Sequence, residues 1–332
     1  MSIFKDKDIL VTGGCGSIGS EIVRQLVKHQ PERVRVLDNH ESGHWHLQND
    51  LGEDAHYMRP LVGDIRDRDR LLRAMEGVDI VFHAAALKHV PLCEYNPFEA
   101  VYTNVIGTKN VVETAIQQKV KHLIGISTDK AVNPVNTMGA TKLLSERIVI
   151  SAPVGFHGAS FSCVRFGNVL GSEGSVVPLF QRQIKAGGPV TVTDPEMTRF
   201  FMTIPQAVRL VLRAAELKHG KEIFVLKMDV VRIQDLAEVM IEELAPRYGH
   251  NPEDIEINFI GKRPGEKMHE YLFTEEEAPH IEELEDMFVV RNAHNDPHRI
   301  DRSDWEAVWE KGKGRLIGKD EIKEVLKANG SL

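Results

Sequence analysis

The sequence has only three cysteines among its 332 residues. Cys15, Cys93 and Cys163 are odd in number, far apart and without CxxC spacing, which argues against a disulfide framework and against a cysteine zinc site. Reduced thiols are the simple reading. Long apolar runs are missing too: no uncharged stretch approaches the length of a membrane span, and Met1 to Asp8 carry no signal-peptide-like segment. A cytoplasmic location without a membrane partner is therefore expected. Basic residues are in deficit, 41 Lys and Arg against 49 Asp and Glu, for a formal net charge of -8. Such a balance gives no general attraction to nucleic acid, so any phosphorylated ligand has to be held locally by a few arginines and backbone amides. His44 and His46 flank Trp45, but residues two apart on a helix do not share a face. They are expected to be surface histidines, and no metal site is expected.

There is no repeat and no low-complexity tract. What the first half does have is an alternation of short β-branched runs with longer amphipathic stretches, the pattern of a parallel sheet with crossover helices. Strands are expected at Asp8–Thr12, Arg33–Leu37, Tyr57–Val62, Asp79–His83, His122–Ser127 and Ser160–Arg165, with helices at Ser17–His29, Ser42–Leu51, Asp67–Met75, Pro97–Gln118 and Met138–Ile150. After Phe166 the rhythm changes to Gly- and Pro-punctuated loops, a helix Pro205–Lys218, a strand Glu222–Leu226, a helix Ile233–Leu244 and an acidic tail region. The expected architecture is an α/β doubly wound parallel sheet of Rossmann type with a smaller α/β substrate domain. Residues 1–168, with a returning segment near 200–228 around Phe224, would form the first unit, and 169–199 with 229–332 the second.

Val11-Thr12-Gly13-Gly14-Cys15-Gly16-Ser17-Ile18-Gly19 follows the first strand and opens the first helix, fitting both GxGxxG and GxxGxxG spacing. Glycines there allow a tight turn and let a pyrophosphate reach backbone N–H groups at a helix N-terminus. In strand-turn-helix context the pattern points to a dinucleotide. Asp38 ends the second strand about 20 residues on, where a carboxylate accepts hydrogen bonds from ribose hydroxyls and repels a 2′-phosphate, which favours NAD over NADP. The other reading of Asp38 is a cap on the turn with Asn39. Asp64 and Ile65 follow the third strand, placed to meet adenine, and Ala84, Ala85 and Ala86 follow the fourth, where small side chains leave room for the dinucleotide.

Further blocks carry a more specific signal: Leu87-Lys88-His89-Val90-Pro91, Glu94-Tyr95-Asn96-Pro97, Ser127-Thr128-Asp129-Lys130, Asn133-Pro134, Met138-Gly139-Ala140-Thr141-Lys142 and Arg263-Pro264-Gly265-Glu266-Lys267. In this order they resemble the nucleotide-sugar 4,6-dehydratases of bacterial surface-glycan synthesis, within the extended short-chain dehydrogenase/reductase superfamily. The superfamily carries a YxxxK pair after the fifth strand, whereas here Met138 stands four residues before Lys142. A thioether cannot move a proton, and this departure is similar to one branch of these enzymes, in which configuration at C5 is retained.

The resemblance implies that a hydride leaves sugar C4 for NAD, water is eliminated across C5 and C6, and the hydride returns to C6. Lys130 would take the C5 proton and Asp129, protonated, would give one to the departing hydroxyl, so both need shifted pKa values. Thr128 would hydrogen-bond O4, and Lys142 would hold the nicotinamide ribose, with Asn104 also counted in the cofactor set. The acceptor of the O4 proton stays open between a water relay and Asp129. Arg165, Asn168, Arg199 and Arg263 are the candidates to hold the diphosphate and nucleoside, with Glu266 as a ribose acceptor and Lys88 and His89 at the sugar-facing edge. His89 could equally cap the loop before Pro91. The implied substrate is a UDP-sugar, UDP-N-acetylglucosamine above others, with a GDP-sugar possible, handled by a homo-oligomer. A sugar-nucleotide 4-epimerase and a non-catalytic NAD-binding regulatory protein are the other readings.

Overall fold

Alternating apolar and amphipathic stretches become alternating strands and helices in the computed structural model, which describes residues 2–153, 159–172, 174–217, 220–291 and 302–332. In chain order these are β1 (Asp8–Thr12), α1 (Ser17–Leu26), β2 (Arg33–Asp38), α2 (Glu41–Leu51), β3 (Met58–Val62), α3 (Arg68–Met75), β4 (Ile80–His83), α4 (Val90–Tyr95), α5 (Pro97–Ala100), α6 (Thr108–Gln117), β5 (His122–Thr128), α7 (Thr137–Ser151), β6 (Ser160–Phe166), β7 (Asn168–Leu170), α8 (Val176–Lys185), β8 (Val190–Val192), β9 (Thr198–Thr203), α9 (Ile204–Leu217), β10 (Ile223–Leu226), β11 (Asp229–Arg232), α10 (Ile233–Leu244), β12 (Ile257–Phe259), β13 (Ile281–Glu283), β14 (Met287–Val290), α11 (Arg302–Gly312) and α12 (Lys319–Ala328). Lys218, the expected end of α9, and residues 292–301 lie outside the described residues.

Nine strands form one sheet in the order β13-β14-β10-β6-β5-β4-β1-β2-β3. The seven strands from β10 to β3 are parallel, and every residue of β4, β6 and β10 is buried, as expected for strands covered on both faces. Chain order reverses between β1 and β4, which opens the crevice where such sheets take their ligands. Three-stranded (β11-β9-β7) and two-stranded (β12-β8) sheets pack with α8, α10 and α12 around a second apolar core that includes Phe180, Val190 and Met240.

Four details depart from the sequence-based expectations. Residues Ile281–Val290 were assigned to the substrate unit, yet β14 pairs antiparallel with β10 and β13 with β14, so they extend the large sheet. The returning segment begins with α9 rather than near residue 200, because β9 pairs with β7 and β11. The long helix Pro97–Gln118 is interrupted by a π-helical segment over Val101–Gly107, where a Cβ on Gly107 would lie 2.6 Å from Ile65 Cδ1. Finally, His44 is no surface histidine: it faces the sheet, 5% exposed, with Nε2 3.2 Å from the Asp38 carbonyl.

Arg165, expected to hold phosphate, is committed elsewhere. It is 1% exposed, and its Nε and Nη2 donate to the two oxygens of Glu146 on α7 at 3.0 and 2.8 Å. Nη1 donates to the Leu272 carbonyl and Glu277, both at 2.9 Å, and Nη2 also reaches Glu277 at 3.2 Å. The triad ties β6 to α7 and to the segment before β13. Burial works to raise the Glu277 carboxyl, but the Arg165 charge and hydrogen bonds override it and hold it below the usual range. That stabilisation is therefore present above the ordinary carboxylate pKa and is lost as pH falls through the lowered one. Arg165→Ala, which strands two buried carboxylates, should cost about 3–5 kcal/mol in urea unfolding at pH 7, with the deficit shrinking in acid; unchanged stability at pH 7 would contradict this account.

Candidate active site

The turn after β1 is built by close approach. Gly13 has φ +66°, its N–H donates to the Leu37 carbonyl at 2.8 Å, and a Cβ there would lie 2.5 Å from the Ala85 nitrogen. A Cβ on Gly19 would lie 2.1 Å from the Gly13 carbonyl oxygen, so α1 can press onto the turn only with glycine there. At Gly16 the nearest such contact is 3.4 Å, leaving open space in front of the helix N-terminus that Ser17 and Ile18 begin. This cradle fits a pyrophosphate at a helix N-terminus. Asp38 accepts from the Cys15 and His40 N–H groups, both at 3.0 Å, so it also performs the turn-capping alternative.

Asp64 and Ile65 are less available than expected. Against the burial that would raise it, the Arg66 side chain and N–H hold the Asp64 carboxyl below its ordinary value, with contacts of 2.7 to 3.0 Å. Ile65 is buried in the core against Gly107. Asn104 is a positioning residue: its Oδ1 accepts from Leu87 N–H at 2.8 Å, and its Nδ2 donates to the Leu87 carbonyl and Thr141 Oγ1 at 2.9 and 3.0 Å. It thereby fixes the loop after β4. Its carbonyl, within the π-helical segment, accepts from the Thr108 and Ser145 hydroxyls.

Sequence reasoning missed the buried chain that runs beneath this loop. Thr108 Oγ1 donates to the Asn104 carbonyl at 2.6 Å, so it accepts from His83 Nε2 at 2.9 Å, which leaves Nδ1 to accept from Thr12 Oγ1 at 2.7 Å. Burial, and then the charge of Lys142, push the His83 pKa down to about 3. Lys142 donates to the Ile126 carbonyl at 2.6 Å, and burial lowers its own pKa. Met138, one turn earlier on α7, is 3% exposed in a small apolar cluster with Cys93 and Ala100. Its part is to fill space, not to move protons.

At the end of β5, Thr128, Asp129 and Lys130 turn into a 3₁₀ segment, which brings successive side chains together instead of to opposite faces. Asp129 is fully buried and its Oδ1 accepts from Thr128 Oγ1 and Lys130 Nζ, each at 2.9 Å. Lys130 Nζ also donates to Asn168 Oδ1 at 2.9 Å, so Asn168 positions the lysine. A Cβ at Gly167 would come 2.9 Å from Asp129 Oδ2.

The remaining substrate-side candidates stand on several elements. Arg199 on β9 is 8% exposed and donates to the Thr198 and Met268 carbonyls at 2.7 and 3.2 Å. Arg263 is exposed, and Glu266 accepts from its N–H at 3.2 Å to close the turn. Together with Asn133, Val135, Lys267 and Tyr271 they line a cleft of about 770 Å³. Lys88 is exposed, and the His89 ring lies where a Cβ on Gly174 would be 2.4 Å away. His89 stands at the N-cap of α4, but its side chain makes no capping bond.

A folded pKa near 3 for His83 means that its contribution to stability is complete above the unfolded value of about 6.5 and is lost as pH falls below it. The His83 imidazole should show no NMR titration between pH 5 and 8; a midpoint in that window would break the proposed tautomer chain.

The family model described as "Polysaccharide biosynthesis protein" matches residues 9–292. An uncharacterized membrane protein of Methanocaldococcus jannaschii is 57% identical over 98% of this chain and 97% of its own; among the described residues here, no helix is long and apolar enough to cross a membrane. A UDP-N-acetylglucosamine 4,6-dehydratase (inverting) of Campylobacter jejuni is 39% identical, and a UDP-glucose 4-epimerase of Rickettsia conorii 40%, each over 87% of this chain and 84% of that protein. The chain spans under half the length, 46% and 47%, of the capsular polysaccharide protein CapD of Staphylococcus aureus and the probable polysaccharide protein EpsC of Bacillus subtilis. The X-ray structure of Pen from Bacillus thuringiensis superposes with a TM-score of 0.89 at 44% identity, covering 99% of both chains. By motif order, sheet topology and these matches, the chain belongs to the polysaccharide biosynthesis family of nucleotide-sugar dehydratases and epimerases, on an extended short-chain dehydrogenase/reductase fold.

Proposed function

We propose that the protein is an NAD-dependent nucleotide-sugar 4,6-dehydratase that acts on UDP-N-acetylglucosamine and retains configuration at C5. The observation that carries this reading is the Asp129–Lys130 ion pair at the end of β5, its carboxylate fully buried, in a chain whose α7 carries Lys142 and a Met138 that cannot act as a base. An epimerase needs no acid at C6, whereas a dehydratase needs an acid and a base together. The cradle of Gly13, Gly16 and Gly19, with Asp38 beside it, would hold NAD, which when bound accepts a hydride from C4 and later donates it to C6.

Lys130 takes the C5 proton and Asp129 protonates the departing C6 hydroxyl. In the substrate-free arrangement they form an ion pair, with the shared proton on the wrong partner for this step. The 2.9 Å bond between Lys130 Nζ and Asp129 Oδ1 is the path along which it moves. That transfer turns a charged pair into a neutral one, which exclusion of solvent by bound substrate favours. Thr128 steadies O4, and Lys142 adds positive potential at the cofactor ribose. Arg199 and Arg263 are the guanidinium groups left to meet the diphosphate, with a GDP-sugar as the alternative substrate. Leu92, Tyr95, Phe98 and Tyr102 are exposed on α4, α5 and the π-helical segment, an apolar face that supports a homo-oligomer.

Incubation of the purified protein with UDP-N-acetylglucosamine should yield, by NMR and mass, a product lighter by one water with a 4-keto group and a 6-methyl group in the original C5 configuration. Inversion at C5 would overturn the stereochemical part, and an equal-mass C4 epimer would make it an epimerase. Lys130→Ala should lose at least about 10²-fold in elimination while still binding NAD; undiminished turnover would remove Lys130 from the mechanism.

A further inference from the structure

Two carboxylate oxygens in this region are buried without a hydrogen-bond partner, Asp129 Oδ2 and Glu270 Oε2. Glu270 ends the segment that begins at Arg263 and is 8% exposed. Its Oε2 lies 3.3 Å from Lys267 Nζ, which gives a hydrogen bond to the Val132 carbonyl at 2.6 Å. The segment is anchored to the Asp129–Lys130 turn by that bond, by Asn136 Nδ2 on the Gly265 carbonyl at 2.8 Å, and to β9 by the 2.8 Å contact of His269 Nδ1 with Thr198 Oγ1. The charged groups facing Glu270 are Asp129 and Lys130 from the turn after β5, Arg199 from β9 and Lys267 from its own segment. Burial first, and the Asp129 charge second, raise the Glu270 carboxyl above its ordinary range, although the three cations oppose this. Two buried carboxylates whose charges oppose one another, Asp129 with an oxygen that has no hydrogen-bond partner and Glu270 with one held by its ion pair to Lys267, are relieved by a proton held on either.

Proton accounting for a 4,6-dehydration shows where that capacity is needed. Oxidation at C4 breaks the O4–H bond and releases a proton while the hydride departs. Elimination then breaks C5–H, with the proton going to a Lys130 that has first passed its own proton to Asp129, and breaks C6–O, whose oxygen takes one proton to leave as water; the proton lent by Lys130 returns to it once C5 is reprotonated. The hydride ends on C6 and Lys130 returns its proton to C5. The proton from O4 is thus the one that balances the departing water, and it has to be stored between the two steps. With Met138 where the superfamily has tyrosine, the usual acceptor is missing.

We propose that Glu270 is a positioning residue that pairs with Asp129 to form this store: the O4 proton enters the carboxyl pair during oxidation and leaves it on the C6 hydroxyl. Glu270 acts through Asp129, providing a second seat while Asp129 stays bonded to Lys130. The proposal rests on the dehydratase reading, so its test has one arm that needs no substrate.

In that arm, infrared spectra of the NAD-loaded protein are followed through a pH titration. The wild type should show a carboxyl titrating above the ordinary range, which disappears in Glu270→Gln and moves down in Asp129→Asn. Identical titrations in wild type and Glu270→Gln would overturn the pair, whatever the enzyme turns over. In the second arm, NADH absorbance is followed after rapid mixing with UDP-N-acetylglucosamine. Because the acceptor has to be a carboxylate, wild-type oxidation should fall as pH drops through the raised pKa. Glu270→Gln should slow NADH formation on the order of 10²-fold, lose that acid limb and leave KM within about twofold, with Glu270→Asp recovering part of the rate. A loss confined to KM, or an unchanged rate and pH profile, would overturn the proposal. Absence of turnover in the wild type itself would instead count against the dehydratase reading and leave the infrared result to decide the pair.

Discussion

Everything at the cofactor end depends on how closely the turn after β1 can approach the loop after β4. With 2.5 Å between a would-be Cβ on Gly13 and the Ala85 nitrogen, no side chain can stand between the two strands at the reversal of sheet order. The crevice is walled by backbone, and backbone N–H groups are the donors a pyrophosphate needs. The same closeness places β4 where His83 can join Thr12 to Thr108, so a chain of three buried side chains transmits the position of β1 to the π-helical segment and, through Asn104, to α7.

Buried charge is handled in different ways within a small volume. Arg165 has its guanidinium nitrogens matched by two carboxylates and a carbonyl, an arrangement that holds elements together and has no capacity left for a ligand. Lys142 has one short bond to a carbonyl and a lowered pKa, so part of its positive potential is directed at its surroundings. Asp129 and Glu270 keep an oxygen each without a hydrogen-bond donor. Incomplete satisfaction is costly for stability, and at Asp129 it stands at the end of β5.

The sheet and the cofactor turn were legible because short-range rules govern them. Apolar runs set the parallel strands, and glycine spacing is dictated by contacts within one strand-turn-helix unit, so β1 and α10 lie where the residues alone place them. Arg165 was misread for the opposite reason. Its partners Glu146 and Glu277 lie 19 and 112 residues away, and no local pattern distinguishes a guanidinium facing phosphate from one facing two carboxylates. Glu270 was missed likewise, since its neighbours Asp129 and Arg199 are distant in sequence. A signal was present in its place directly after the motif at Arg263. The break in the helix at Val101–Gly107 was missed because its apolar periodicity continues through residues of low helix propensity, and what distinguishes it lies in what Asn104 and Gly107 touch.

The breadth of the large sheet has a bearing on how the protein behaves in a crowded solution. Among the described residues, the nine-stranded sheet ends in two edge strands, each a template for another chain. One edge is β3, which carries Arg59 and Pro60, the latter without an N–H to offer. The other is β13, three residues long with Glu282 and Glu283 on it. The antiparallel turn that brings β13 and β14 beside β10 therefore exchanges a fully buried, uncharged strand at the rim for a short acidic one. Both rims thus carry residues that work against strand-to-strand pairing with another copy.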